Sequence, residues 1–211
     1  MGEQLQRGPA FRQMWEQRYS GSEYVYGQEP NQFLASVLAF LPRGRALCLA
    51  EGEGRNAVFL ARQGYQVTAV DFAVAGLKKA ARLARQNRVH LNLIAADLTR
   101  FPIKPGSWEV IVSIFGHFYP EDRRKIHRQV VEGLVPGGMF VLEAYTPKQL
   151  AYRTGGPPVR ELMMEAADLE KELAGLEFLI LRETERAVVE GTHHRGWAAV
   201  VQVLARKPEQ G

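Results

Sequence analysis

The chain has 211 residues, 46% of them hydrophobic and 24% charged, with a formal net charge of +4. That composition excludes a collagen-like or low-complexity chain and suits one globular domain with a sizeable core. No apolar run approaches the ~20 residues a bilayer span needs. The segment Met1 to Arg7 is polar, without the apolar core of a signal peptide. Gln6 stands where a myristoylation signal wants Ser or Thr. A cytoplasmic protein with no membrane partner is the expectation. The single cysteine, Cys48, permits no internal disulfide and reads as a small buried hydrophobe. No Cys/His spacing suits zinc, and no metal is expected.

In chain order, residues 11–19 read as a short helix containing Trp15 and Tyr19. A Gly- and Tyr-rich loop follows from Ser20 to Asn31, with Pro30 placed to start the next helix. Residues 32–41 carry apolar side chains at helical spacing and stop at Pro42-Arg43-Gly44. Leu47-Cys48-Leu49-Ala50 is a buried strand. It turns through Gly52 and Gly54 into a helix from Asn56 that Gly64 ends. Residues 65–70 form a β-branched strand ending in Asp71, and 74–88 a basic amphipathic helix. Residues 91–96 form a third strand ending in Asp97-Leu98, and 110–114 a fourth, followed by Phe115-Gly116-His117. Residues 121–134 are helical, Pro136-Gly137-Gly138 is a tight turn, and 139–144 is strand five. Residues 160–173 read as one helix. Two long strands, 176–189 and 197–206, then join through a turn containing His193, His194 and Arg195.

Strands alternating with helices argue for a parallel sheet covered on both faces. The final hairpin is the departure from that rhythm. The basic groups Lys78, Lys79, Arg82, Arg85, Arg88 and Arg123, Arg124, Lys125, Arg128 fall in helical patterns without interleaved aromatics. They read as solvated helix faces, and no nucleic-acid partner is expected.

The strand–glycine turn–helix unit places a ligand outside the strand ends. The glycines let backbone approach it, and the first helix turn offers it unpaired N–H groups. Asp71, roughly 20 residues past the glycines, is placed to accept two ribose hydroxyls. Asp97 meets an adenine amino group, and Phe72 packs on the adenine face. Gly52 to Ala57 also fits the dinucleotide fingerprint. Against it, Glu51 and Glu53 would repel a pyrophosphate, and Glu51 favours an ammonium or sulfonium.

On these residues the chain resembles the class I S-adenosylmethionine-dependent methyltransferases. The matching pieces are Ala50 to Asn56, Asp71, Ala96-Asp97-Leu98, Trp108 to Ile114, Leu134 to Gly138 and the closing hairpin. Within that family it is similar to the tellurite-resistance type of small-molecule enzyme. The signs are Gly54-Arg55-Asn56-Ala57, the segment Tyr24 to Asn31, and the end His194-Arg195 with Val201 to Lys207. It departs from the pattern at Ala50, where the first glycine is usual, and at Cys48, where an acid is usual. Glu51 stands in for that acid.

The resemblance implies an α/β fold: a Rossmann-like, mostly parallel seven-stranded sheet, helices on both faces and a C-terminal antiparallel β-hairpin. It implies one domain, with residues 1–42 as a helical lid and 43–211 as the core. S-adenosyl-L-methionine is the implied cofactor, leaving as S-adenosyl-L-homocysteine. Ala50, Glu51, Gly52, Gly54 and Asn56 would serve its methionine part. Asp71 and Phe72 would hold ribose and adenine, and Asp97 and Leu98 the adenine edge. Ser113 and Phe115 would lie under the sulfonium, with Phe115 also facing the acceptor. Tyr19, Tyr26 and Gly27 would form a lid. His117 is the candidate base, and His194 and Arg195 would bind a small soft or anionic acceptor such as a thiol, a selenide or a tellurite-like oxyanion. Two other readings stay open: a cofactor-binding regulatory module without catalysis, and a nicotinamide oxidoreductase.

Overall fold

The computed structural model describes residues 8–152, 154–191 and 194–209. Seven strands form one sheet in the order β3-β2-β1-β4-β5-β7-β6. They are β1 Arg45–Leu49, β2 Gln66–Asp71, β3 Asn92–Ala95, β4 Trp108–Ile114, β5 Leu134–Tyr145, β6 Glu177–Glu190 and β7 His194–Arg206. The first five run parallel. β7 is antiparallel to both β5 and β6. The expected mostly parallel sheet with a closing hairpin is the one observed. Among the described residues no helix is long and apolar enough to cross a membrane.

Both faces of the central strands are apolar because both are covered. Ala46, Cys48, Val110 and Val112 share one core cluster with Val58 and Leu60 of α3 (Arg55–Arg62) and Leu83 of α4 (Val74–Gln86). Leu47, Leu49 and Ile111 point the other way, onto Ile126 and Val130 of α5 (Pro120–Gly133) and Leu169 of α7 (Ala166–Glu172). Cys48 is fully buried, and burial pushes its thiol well up. Two further helices lie N-terminal to the sheet, α1 (Pro9–Tyr19) and α2 (Gln32–Val37), the latter running into a 3₁₀ turn over Leu38–Phe40. A four-residue helix, α6 (Gln149–Tyr152), has no counterpart in the sequence pattern.

Three sequence expectations are corrected. Pro136-Gly137-Gly138 is not a turn between elements but lies within β5. Gly137 takes a left-handed φ of 75° and donates its N–H to Lys207 O, so the kinked chain stays paired. The helix expected over 160–173 is broken. Arg160–Leu162 is a 3₁₀ turn, and Met163 and Met164 are buried in extended backbone, with Met164 N–H on Tyr145 O, before α7 begins. Finally, the basic helix faces are not wholly solvated. Lys79 is buried against Glu53 at 2.7 Å, and Arg123 against Glu172 at 2.7 Å, where His127 also bonds. The periodicity places these cations on helices but carries no sign of their partners, which come from distant chain segments.

Candidate functional site

A cleft opens at the C-terminal ends of β1, β2 and β4, where the parallel strands of such a sheet present their ligand. Its floor is set by two strained residues. Ala50, after β1, and Phe115, after β4, both have left-handed backbone at φ 50° and 53°. Non-glycine residues seldom adopt that region, and the cost, roughly 1–3 kcal/mol each, persists where the surroundings enforce it. The left-handed turn is also the physical reason a glycine is usual at position 50.

Asp71 ends β2 at the cleft. Its Oδ2 accepts the Gly52 N–H at 2.8 Å and its Oδ1 the Ala73 N–H at 2.8 Å. Burial pushes its carboxyl up to about 6 against those two donors. Glu51 is buried on the turn itself. Its Oε1 accepts the N–H groups of Asn56 and Ala57, at 3.0 and 2.8 Å, and so caps the start of α3. Burial raises it to about 7, the backbone donors opposing. The first turn of α3 therefore does not offer these two N–H groups to a ligand, as the sequence suggested; Glu51 holds them. It thus braces the loop in place of the acid missing at Cys48.

The two glycines also differ from expectation. A Cβ on Gly54 would stand 2.5 Å from Ala80 Cβ, so this glycine serves the packing of α3 on α4. A Cβ on Gly52 would stand 2.7 Å from Tyr19 Oη, so its close neighbour is the N-terminal helix.

That helix roofs the cleft. Phe11, Trp15 and Tyr19 repeat at one-turn spacing and form an aromatic row, with Phe11 reaching Phe72 at 5.8 Å and Tyr26 meeting both Trp15 and Tyr19 at 6.2 Å. Glu16 fixes the row by accepting the N–H groups of Val74 and Ala75, at 2.8 Å each, at the start of α4. Glu53 does the same for the following loop. It accepts the N–H groups of Val25 and Tyr26 while paired with Lys79. The residue expected to repel phosphate is thus a neutralised anchor.

Behind the turn lies a buried polar cluster that ties four parts of the chain together. Asn31 Nδ2 donates to Glu143 and Glu190. Arg186 Nε and Nη2 donate to Glu143 at 2.8 and 2.7 Å, and Arg55 pairs with Glu190. Asn56 belongs here too, its Oδ1 accepting the Asn31 N–H at 2.9 Å. Arg55 reaches the cleft as well, and its Nη1 is buried without a hydrogen-bond partner among the described residues. Buried guanidinium nitrogens are seldom left so. The sequence places Arg55 in the glycine motif without pointing to a role for it.

His117 is half-buried in the loop after β4, with its Nδ1 fully buried, near the stacked pair Phe115 and Tyr145, whose centroids are 4.6 Å apart. Burial, and then Arg18, lower it to about 4, and among the described residues its Nδ1 has no partner.

Of the expected site residues, Tyr19, Tyr26, Ala50, Glu51, Asn56, Asp71, Phe72, Leu98, Phe115 and His117 line the cleft. Asp97 does not; its exposed carboxylate turns back on Thr99 N and Oγ1. Ser113 is buried, within 3.1 Å of where a Gly116 Cβ would sit. Gly27 packs on Gly191 at the hairpin tip. His193 and the side chains of His194 and Arg195 lie outside the described residues.

Residues 46–138 match the family model described as "Methyltransferase domain". The solved structures decide the wider architecture. One, described as "Conversion of a Disulfide Bond into a Thioacetal Group during Echinomycin Biosynthesis", aligns with TM-score 0.74 at 18% identity over 95% of this chain and 92% of that one. The fold is shared with solved structures described as methyltransferases. The N-methyltransferase NodS of Bradyrhizobium japonicum, solved with S-adenosyl-L-homocysteine, aligns to this methyltransferase fold with TM-score 0.68 at 14% identity, over 94% of this chain and 98% of NodS. Two curated relatives are each called demethylmenaquinone methyltransferase. That of Thermus thermophilus is 30% identical over 49% of this chain and 48% of its own length. That of Renibacterium salmoninarum is 24% identical over 54% and 47%. The chain spans about half the length of the curated relatives it matches.

Proposed function

We propose that this protein transfers the methyl group of S-adenosylmethionine to a small soft or anionic acceptor. The observation that carries the reading is the pairing of Asp71 and Arg55 in one cleft. A buried carboxylate at the end of β2, beside Phe72 and Leu98, suits ribose and adenine. A buried guanidinium with an unpartnered nitrogen, on the β1–α3 turn, suits the carboxylate of the amino-acid part. Glu51 on the same turn suits its ammonium. These residues fit the cofactor, with α1 and residues 24–31 as its lid.

The bound sulfonium supplies an already activated methyl. The chain contributes position and exclusion of water. Phe115, held over the floor by its left-handed backbone, shapes the space after β4. His117, lowered to about 4, stays neutral near pH 7 and is a weak base, so the acceptor is best served by arriving already ionised. The pyrophosphate of a nicotinamide cofactor finds no comparable seat, because Glu51 already caps the α3 donors. The neighbour named for disulfide conversion acts on sulfur, which supports a thiol, selenide or tellurite-like acceptor over a macromolecular one.

Isothermal titration with S-adenosylhomocysteine, followed by labelled-methyl transfer to a thiol and oxyanion panel, tests this. Saturable binding with transfer to at least one member is expected. No binding at millimolar concentration would sink it.

A further inference from the structure

Beyond His117 lies a second cavity of about 270 Å³. It shares Phe11, Trp15, Tyr26 and His117 with the cleft. The far wall is Met14, Leu162 and the turn Gly155-Gly156-Pro157-Pro158. No sequence motif points to any of these far-wall residues. Among the described residues the cavity wall contains no Asp or Glu, and its one formal cation is Arg18, which lies 4.6 Å over the Trp15 ring and donates to Tyr26 Oη at 3.0 Å. Among the described residues no carboxylate comes within ion-pair distance of Arg18.

We propose that this cavity is the acceptor site and that it takes a flat, apolar molecule of one or two rings carrying an acidic S–H or O–H. The proposal rests on the methyl-transfer reading above and narrows it. Three features decide the class. The walls are aromatic rings, proline and aliphatic side chains, which favour a flat apolar body. The volume is many times that of one water, so a three- or four-atom oxyanion would leave most of the wall without a partner. An unpaired cation with no anion attracts a thiolate or phenolate and repels an amine.

His117 stands where cavity and cleft meet, so an acceptor held there presents its nucleophile toward the cleft. A bond forms from acceptor sulfur or oxygen to the methyl carbon. The bond from that carbon to the sulfonium breaks, and its electron pair stays with the departing sulfur. An acceptor that arrives protonated gives its proton to solvent, and the thiolate or phenolate so formed is the nucleophile. Neither Met14 nor Arg18 lines the cofactor cleft, so their substitution separates the two sites.

The test is calorimetric titration of the full chain, saturated with S-adenosylhomocysteine, with 2-naphthalenethiol under reducing conditions, 2-naphthol and sodium tellurite. The ring compounds are expected to bind and tellurite not to. Met14→Glu places a carboxylate one helical turn from Arg18, at an exposed position, and supplies the missing counter-charge. Met14→Glu and Arg18→Gln are each expected to weaken 2-naphthalenethiol about tenfold, the scale of one charge-assisted contact, while S-adenosylhomocysteine affinity moves less than about twofold. Silence from both ring compounds with S-adenosylhomocysteine bound would overturn the acceptor proposal and leave the methyl-transfer reading standing. So would tighter binding of tellurite, or indifference to both variants. Failure of the wild type to bind S-adenosylhomocysteine would overturn both.

Discussion

The cleft and the cavity beyond it are built on opposite principles. In the cleft the carboxylates are already engaged: Asp71 by two backbone donors and Glu51 by two more. In the cavity, among the described residues, no carboxylate is present, and the one cation rests on a ring. The first is rigid and pre-oriented, as a site for an invariant ligand needs to be. The second recognises by shape and by a single charge. On the proposed reading, the difference teaches where specificity would sit: cofactor recognition in the sheet, and acceptor recognition in the pieces laid over it.

The largest effect expected from breaking the first half of that comparison is at Asp71. Asp71→Ala leaves two buried backbone N–H groups unpaired and removes the ribose acceptor. S-adenosylhomocysteine affinity should fall by at least about a hundredfold in a calorimetric titration. Asp71→Asn, which keeps one acceptor oxygen, should fall in between. Near-native binding by the alanine variant would remove Asp71 from the site.

Arg55→Ala is the next test. Glu190 keeps Arg186 and Asn31 as partners, so the fold should persist. S-adenosylhomocysteine should bind about tenfold more weakly, while adenosine alone should be unaffected, because only the former carries a carboxylate. Equal losses for both ligands would place Arg55 away from the amino-acid end.

A smaller effect follows from the raised Glu51. Its folded pKa, about 7, lies above the ordinary carboxylate value. The folded state therefore binds more protons than the unfolded one across that interval, and stability falls as pH rises through it. Asp71 acts in the same direction below about 6. His117, lowered to about 4, acts the opposite way between its folded value and the ordinary one. Buried His127, also held below the ordinary imidazole value, acts with His117, and both oppose Glu51 near pH 6.5 to 8. The Glu51 effect is therefore the difference from Glu51→Gln: relative to that variant, the wild type should lose roughly 1 kcal/mol across this range in denaturant unfolding. Parallel profiles for the two would mean that the α3 cap holds Glu51 ionised.

The smallest effect concerns the strained floor. Ala50→Gly relieves a left-handed alanine and should stabilise by no more than about 1 kcal/mol in the same unfolding measurement. A loss of stability would show that the Ala50 methyl packs against its neighbours more tightly than the strain costs.

The sheet was legible in the sequence because its strands are continuous apolar runs separated by helices, and the stops at Pro42-Arg43-Gly44 and Gly64 fall between elements. Asp71, Phe72 and Leu98 were legible because position at a strand end is a matter of chain order. The misreadings have a common cause. Gly54, Glu53 and Lys79 are explained by partners far along the chain, and no local pattern announces a partner. Arg160 to Leu173 carried helical spacing, yet Met164 pairs with the end of β5 and splits the helix. The acceptor cavity was the least legible part. Its walls come from α1, the loop after β4 and the 155–162 segment, which meet only once the chain has folded. One signal was present in the chain itself: Phe11, Trp15 and Tyr19 stand four residues apart, the spacing that lines aromatic rings along one side of a helix.

The buried cluster around Glu143 has a consequence for how this chain can be cut. Glu143 sits in β5, and three of the groups that hold it come from Asn31 before the sheet and from Arg186 and Gln202 in the hairpin. A fragment limited to residues 46–138 would end inside β5, before Glu143, and would strand Arg55 in an oily interior with its counter-charge Glu190 left behind. The portion that can be traced between relatives is therefore smaller than the portion that can stand alone in a test tube, and shuffling this segment into another protein would require its two distant bookends to travel with it.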